Sequence, residues 1–345
     1  NGSPRQLINP ERLKTVFLQM LHEAHCEVLL YTFVCEPIMD SGRLSGVIIE
    51  NKSGRQAIFA KIIIDSTGDG DIAAKAGAAY VKGRETDGAM QPASLMFKIG
   101  GVDYSRAVFP GKFEDYIQIP KGEIQALGKS HLPFPAGHVL LYRSTLPGVV
   151  TCNMTNCTGI DGTNAADLSR AVLVCRNQLQ PILDFLHEFV PGYESCYLLE
   201  TASLIGVRET RHFKGLETIT EEDIRSSRVF PNWAVTHASF NFDVHNMTGN
   251  GLDATGAQDA FTATSYTIPY GCLVPEKIDG LLLAGRNISG THMAHANYRV
   301  MPICANMGQA AGIAAALCCK EDIQPRDVKV PELQKLLLQN GVLPV

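Results

Sequence analysis

Arg208, Arg211 and His212 fall in one short run, Gly206-Val207-Arg208-Glu209-Thr210-Arg211-His212. Two guanidinium groups at this spacing suit a carboxylate or another anionic substrate group, which they grip through paired hydrogen bonds. An ion pair with Glu209 or a neighbouring carboxylate accounts for each arginine equally well. His292 and His295 lie in a second run, where an imidazole that titrates near neutrality would handle the proton accompanying a hydride transfer. As metal ligands they lack a third partner in the sequence, so no metal is expected, and an ordinary hydrogen-bonded loop role is the alternative. His237 and His245 are weaker candidates, Tyr270 reads equally as packing, and Cys304 reads as an inert buried thiol.

Two glycine-rich turns bear on cofactor binding. Gly68-x-Gly70-x-x-Ala73 follows an apolar run and precedes a short helix, resembling a dinucleotide fingerprint. Gly249-x-Gly251-x-x-Ala254 matches the same pattern with no strand before it, so the pattern alone is weak. The helix after Asp71 should end by Gly77, too short for a crossover, and Asp69 and Asp71 would repel a pyrophosphate at its start. The turn is therefore expected to line a cofactor without cradling phosphates, with a simple capped turn as the alternative.

The C-terminal stretch carries more. Leu281 to Ala284 reads as a buried strand, Gly285-Arg286-Asn287-Ile288-Ser289-Gly290 as a turn, and Arg299-Val300-Met301-Pro302 as the opening of a helix, since proline is tolerated only near a helix start. Gly308, Ala311, Gly312 and Ala315 fall on one helical face and would leave a groove for a flat ring or a strand. Unpaired N–H groups at the helix start, with Arg299, would offer positive potential to an electron-rich ring.

The elements that must position these residues follow from pattern. Asn9-Pro10-Glu11 predicts a capped amphipathic helix ending near His25. Glu27–Val34, Leu44–Glu50 and Gln56–Ile64 read as strands divided by the turns Asp40-Ser41-Gly42 and Asn51-Lys52-Ser53-Gly54. Ile62-Ile63-Ile64 suits a parallel strand buried on both faces. Mixed strands reach to Pro147, a long helix kinked by Pro181 starts at Ala165, and a Gly-rich loop spans Gly249–Gly256. Pro331 to Asn340 predicts a final helix.

Hydrophobic residues make up 45% and charged residues 19%, with a net charge of −5, so the chain should fold compactly and lacks the basic footprint of a nucleic-acid or anionic-membrane binder. No apolar run is long enough to span a bilayer, and no signal-peptide core follows Asn1 to Arg5, which favours a cytoplasmic location. The chain does not begin with Met, so a removed signal stays open. The ten cysteines are scattered without zinc-ligand spacing and read as reduced core residues.

Taken together, Ile62-Ile63-Ile64-Asp65-Ser66-Thr67-Gly68-Asp69-Gly70-Asp71, Gly206 to Arg211, Ile268-Pro269-Tyr270, Leu282-Leu283-Ala284-Gly285-Arg286-Asn287-Ile288-Ser289 and Arg299-Val300-Met301-Pro302 through Gly312 resemble the FAD-dependent oxidoreductases with a glutathione-reductase-like flavin fold. The resemblance implies FAD as cofactor, with Thr67, Gly68, Asp69 and Gly70 on one side of its site and Gly285, Arg286, Asn287 and Ile288 near its phosphate-ribityl part. It also implies that Arg299, Val300, Met301 and Gly308 lie along the helix aimed at the isoalloxazine. In such proteins a βαβ unit with a Gly-rich turn precedes everything seen here and holds the FAD pyrophosphate. What begins at Asn1 matches the segment after that unit, so a preceding segment or a partner chain is expected to complete the FAD site.

The fold expected is α/β: a discontinuous, incomplete Rossmann-like FAD-binding domain of three layers over residues 1–81 and 271–345, with an α+β substrate domain inserted over residues 82–270. The function expected is hydride transfer between a small organic substrate and flavin, with Arg208 and Arg211 orienting the substrate and His292 or His295 handling the proton. A non-catalytic subunit that keeps the fold without FAD, and a nicotinamide-dependent dehydrogenase using the Gly68 turn, are the alternatives. A homo-oligomer is compatible with the sequence; nucleic-acid and membrane partners are not expected.

Overall fold

The side chain of Asn9 accepts hydrogen bonds from the N–H groups of Glu11 and Arg12, and Pro10 opens helix α1 (Pro10–Glu23) in the position where its missing N–H costs nothing. The computed structural model describes residues 7–112, 115–252 and 264–345; Ala254 and the rest of the Gly249–Gly256 loop beyond Leu252 lie outside them. Helix α1 buries none of its residues, and Val16, Phe17, Leu18, Met20 and Leu21 are exposed. Residues Glu27 to Leu30, expected in a strand, are exposed coil.

A three-stranded antiparallel sheet follows, in the order β1 (Phe33–Asp40), β2 (Arg43–Asn51), β3 (Gly54–Phe59). Asp40 pairs with Arg43, so Ser41 and Gly42 form a two-residue turn, and both have the positive φ that a right-twisted hairpin demands. Strand β4 (Ile63–Asp65) carries the apolar run expected of a parallel strand. Ile63 and Ile64 are only half-buried, because β4 has a single strand partner among the described residues.

Helix α2 (Asp71–Lys75) and strand β5 (Tyr80–Lys82) lead into the middle of the chain. There β6 (Phe97–Gly100), β7 (Gln118–Ile119), β8 (Gly122–Glu123), helix α3 (Ile124–His131), β9 (Leu141–Arg143) and β10 (Val150–Cys152) precede α4 (Ala165–Asn177), α5 (Leu179–Phe189) and β11 (Tyr197–Thr201). Four of these strands form a sheet in the order β11-β6-β10-β9, and its core joins Phe97, Ile99 and Val150 to Ile182 and Leu186 of α5. The expected kinked helix is two helices meeting at Gln178. Pro181 cannot donate to the preceding turn, so it sits in the first turn of α5 instead.

Strand β12 (Arg211–Phe213) pairs with β5, and helix α6 (Glu221–Arg225) is closed by a capping box between Thr220 and Asp223. Strands β13 (Trp233–Ala238) and β14 (Tyr266–Pro269) pair antiparallel, before β15 (Leu281–Leu283), α7 (His292–Tyr298), α8 (Met301–Glu321) and α9 (Val330–Gln339). Strand β15 lies parallel to β4, with Leu282 opposite Ile64 and Leu283 opposite Asp65. One core therefore draws on both ends of the chain, joining Leu44, Ile72 and Ala73 to Leu281–Leu283, Met307 and Ala310. It also takes in Phe213, Ile224, Val235 and Ile268 from the stretch expected to form the insertion.

By length and composition α8 could cross a bilayer, contrary to the sequence expectation. Its Ile303, Met307, Ala310, Ala314 and Leu317 enter the core, and a buried core helix meets the same criterion.

Candidate functional site

Asp65, at the end of β4, organises the turn that follows. Its Oδ1 accepts from the Thr67 N–H at 3.0 Å and the Thr67 hydroxyl at 2.8 Å. Its Oδ2 accepts from the N–H groups of Ile72 at 3.0 Å and Ala73 at 2.8 Å. The carboxylate thus caps α2 from a distance, because Gly70 at the cap position has no side chain to do so. Gly68 (φ 87°) and Gly70 (φ 63°) are required here: a β-carbon would lie 2.3 Å from the Arg286 guanidinium at the first and 2.1 Å from the Phe213 ring at the second. Asp65 was not among the expected site residues, although a buried acid directly after an apolar strand is its sequence signal.

The acids of this turn are compensated. Asp69 Oδ1 accepts from Arg286 Nη2 at 2.9 Å and the Thr210 hydroxyl at 2.6 Å. Arg211 Nη1 donates to the Asp69 carbonyl at 2.8 Å and to Asp71 Oδ1 at 2.9 Å. Helix α2 ends at Lys75, as the sequence suggests.

The turn after β15 meets it. Gly285 adopts φ 112° with no neighbour crowding its open side, Ile288 is buried, and Asn287 Nδ2 donates to the Asp65 carbonyl at 3.0 Å. Asn287 Oδ1 is buried without a hydrogen-bond partner. Thr291 caps α7, a helix formed where only a loop was expected, and Tyr298 at its end donates its hydroxyl to the Ile288 carbonyl at 3.3 Å.

Helix α8 opens at Val300, which supplies no side-chain cap, and Met301 is 62% exposed. Gly308 and Gly312 are exposed, and a β-carbon on either would meet nothing within 4 Å. Ala311 enters the core and Ala315 packs against it, so the open face holds the two glycines and not the four small residues expected. Arg299 does not stand free beside the helix start, because its Nη2 donates to the carbonyl and to Oδ2 of Asp243, each at 2.9 Å.

Behind α7 lies a buried acid–base cluster. Glu209 Oε1 accepts from His212 Nε2 at 2.8 Å and His292 Nδ1 at 2.6 Å, while Oε2 accepts from the Gln91 N–H at 3.0 Å. Burial would raise the Glu209 pKa, but His212, His292 and His295 outweigh it and hold the carboxyl well below its usual range. His295 packs edge-on against His212 with ring centroids 4.7 Å apart, and burial, followed by the nearby His212, drives its pKa far down. His212 Nδ1 and His295 Nδ1 are both buried without a hydrogen-bond partner.

Gln91 links this cluster to a second one, since its Oε1 accepts from the His245 N–H at 3.1 Å. His245 Nε2 lies 3.4 Å from Asp243 Oδ2, and burial together with the Arg208 charge lowers the His245 pKa to about 4. Arg208 Nη1 donates to the Pro92 carbonyl at 2.6 Å, and desolvation aided by Arg299 lowers its pKa to about 10. Arg208 and His245 line a cavity of about 20 Å³ with His138, Asn153 and Asn156, room for one water. The fold therefore separates the roles of the two arginines: Arg208 borders this cavity, and Arg211 holds the Asp69–Asp71 turn. It gathers Glu209, His212, His292 and His295, which the sequence held in two distant runs.

No curated protein matches the chain. Among solved structures, a geranylgeranyl bacteriochlorophyll reductase-like protein from Thermoplasma acidophilum aligns over 96% of this chain and 59% of its own, at 11% identity and a TM-score of 0.48. A myxobacterial FAD-dependent chondrochloren halogenase aligns over 94% and 54%, at 13% identity and a TM-score of 0.39. L-proline dehydrogenase from P. horikoshii aligns over 97% and 61%, at 12% identity and a TM-score of 0.34. The chain thus spans less than two thirds of the length of each. A sequence model described as FAD dependent oxidoreductase matches residues 1–337, nearly the whole chain, and the chain belongs to that family.

Proposed function

We propose that the chain is the larger part of an FAD-dependent oxidoreductase that transfers a hydride between a small organic substrate and flavin. One observation carries this reading: parallel strands β4 and β15 end side by side at Asp65 and Leu283, and α8, packed behind them, presents an uncapped amino end with Gly308 and Gly312 bare. Ligands of open α/β sheets bind at the carboxyl ends of the strands.

The residues fit the flavin end of FAD. Uncapped N–H groups at the start of α8 suit a carbonyl-bearing ring edge, the bare glycines suit its flat face, and the partnerless Asn287 Oδ1 suits a ribityl hydroxyl. Thr67, Gly68, Gly285, Val300 and Met301 would line the cofactor, with Ile288 beneath them in the core, while Asp69, Gly70 and Arg286 hold the turn that does so. Bound FAD supplies the hydride acceptor. Arg208 orients the substrate, which lies outside the one-water cavity it borders; Arg211 keeps the turn in place, and His292 takes the transferred proton with the Glu209 carboxylate accepting its hydrogen bond. Arg299 acts through Asp243 in this reading.

The pyrophosphate end requires a βαβ unit in a glutathione-reductase-like arrangement, supplied by a preceding segment or a partner chain. Its support is the apolar surface left open by Phe17 (55% exposed), Met20 (58%), Leu30 (62%) and Phe33 (72%), together with the outer edges of the β4–β15 pair. Large apolar side chains left exposed over one stretch of chain are the kind of surface that an interface covers.

The test is an absorbance scan of the purified protein after FAD loading and desalting. A retained two-band flavin spectrum, bleached by a substrate under anaerobic conditions, is the expected result. A folded protein carrying the βαβ unit but retaining no flavin would favour a non-catalytic scaffold.

A further inference from the structure

We infer that Glu209, His212 and His295 form a site for one divalent first-row transition metal ion, buried between the start of β12 and helix α7. One donor atom from each of the three lies within 4.8 Å of the others. They come from two facing pairs of equal spacing, Glu209-x-x-His212 and His292-x-x-His295. Exposures are 1% for Glu209, 2% for His212 and 1% for His295, so bulk solvent does not reach them.

Hydrogen bonding leaves this cluster incomplete. Both His212 Nδ1 and His295 Nδ1 are buried without partners, and each tautomer merely exchanges a bare lone pair for a bare N–H. Among the described residues, Glu209 has ion pairs only to His212 and His292 and none to an arginine or lysine. A metal ion would supply both the missing positive charge and a partner for imidazole lone pairs.

The surroundings are those of a supported ligand set. Glu209 is fixed through Oε2 by the Gln91 N–H and through Oε1 by His292 Nδ1. Outer hydrogen bonds of this kind orient metal-bound carboxylates. Two imidazoles and a carboxylate suit zinc, or ferrous iron when positions stay open. Closing on an ion would bring the donors to roughly 3.3 Å apart, as bonds of about 2.0–2.1 Å require.

The test uses protein stripped with chelator, desalted, and titrated separately with Zn²⁺ and Fe²⁺ under reducing, anaerobic conditions. Bound metal is counted by elemental analysis in wild type, His295→Leu, Glu209→Gln and, as an exposed-histidine control, His237→Leu. One equivalent that survives desalting in wild type and H237L but disappears in H295L and E209Q is expected. Equal metal in all four proteins, or none in folded wild type, overturns the site. Should the buried variants fail to fold, X-ray absorption on metal-loaded wild type decides. A first shell of nitrogen and oxygen alone is expected, and sulfur in the shell would assign the metal to cysteines. Because the readout is metal and not turnover, its failure leaves the flavin reading intact.

Discussion

The guanidinium of Arg286 rests against the bare α-carbon of Gly68 while its Nη2 bonds Asp69 Oδ1 at 2.9 Å, so the turn after β15 is clasped to the turn after β4. Gly68→Ala should therefore cost about 1–3 kcal/mol, from a strained positive φ and a displaced guanidinium. Urea unfolding measures it. In the double variant with Arg286→Ala, the combined loss should fall short of the sum of the single losses, because the clash is shared.

Asp65→Asn removes the charge that caps α2 and forces an amide donor into a site where the oxygens accept four hydrogen bonds. A loss of about 1–3 kcal/mol is expected, with weaker FAD retention after desalting. Unchanged values for both would remove Asp65 from the role of organiser.

Arg208→Met should raise KM or abolish turnover while leaving bound flavin in place. Arg211→Met should instead loosen the Asp69–Asp71 turn and lower flavin retention. Steady-state kinetics and the flavin absorbance of the two variants separate these outcomes; identical behaviour would contradict the division of roles.

His245 and His138 have pKa values lowered from an ordinary 6.5 to about 4, in both cases chiefly by burial. The unfolded chain binds these protons first, so stability is complete above pH 6.5 and falls as pH drops towards 4. Thermal melts across that window should show the decline. His138→Gln should flatten it in part.

Phe17→Glu lies on a helix that buries nothing, so the melting temperature of the chain should shift little. The same substitution should impair docking of a βαβ unit supplied in trans, read by co-elution. Undiminished co-elution would place the interface elsewhere.

Local pattern revealed what local physics determines. Asn9 capping α1, the Ser41-Gly42 turn and the early end of α2 follow from cap and turn chemistry within a few residues. Parallel pairing of β4 followed from its β-branched composition. The Glu209 cluster was not legible, because Glu209 and His292 are far apart in sequence and meet only through packing of α7. The charge of Arg299 misled for the same reason: its partner Asp243 arrives from another loop. The apolar spacing from Ala165 to Leu186 matches one long helix with a kink at Pro181, whereas Gln178 divides two helices.

Pairing of Ile64 with Leu282 also sets an order for synthesis. The sheet of β6, β9, β10 and β11 closes within residues 97–201 and can consolidate while the ribosome is still working. Strand β4, already emerged beside β2 and α2, has no strand partner among the described residues until β15 at residues 281–283 follows. Closing so long a loop is slow, and apolar surface stays uncovered meanwhile. The nascent chain is thus an expected client of chaperones during that interval.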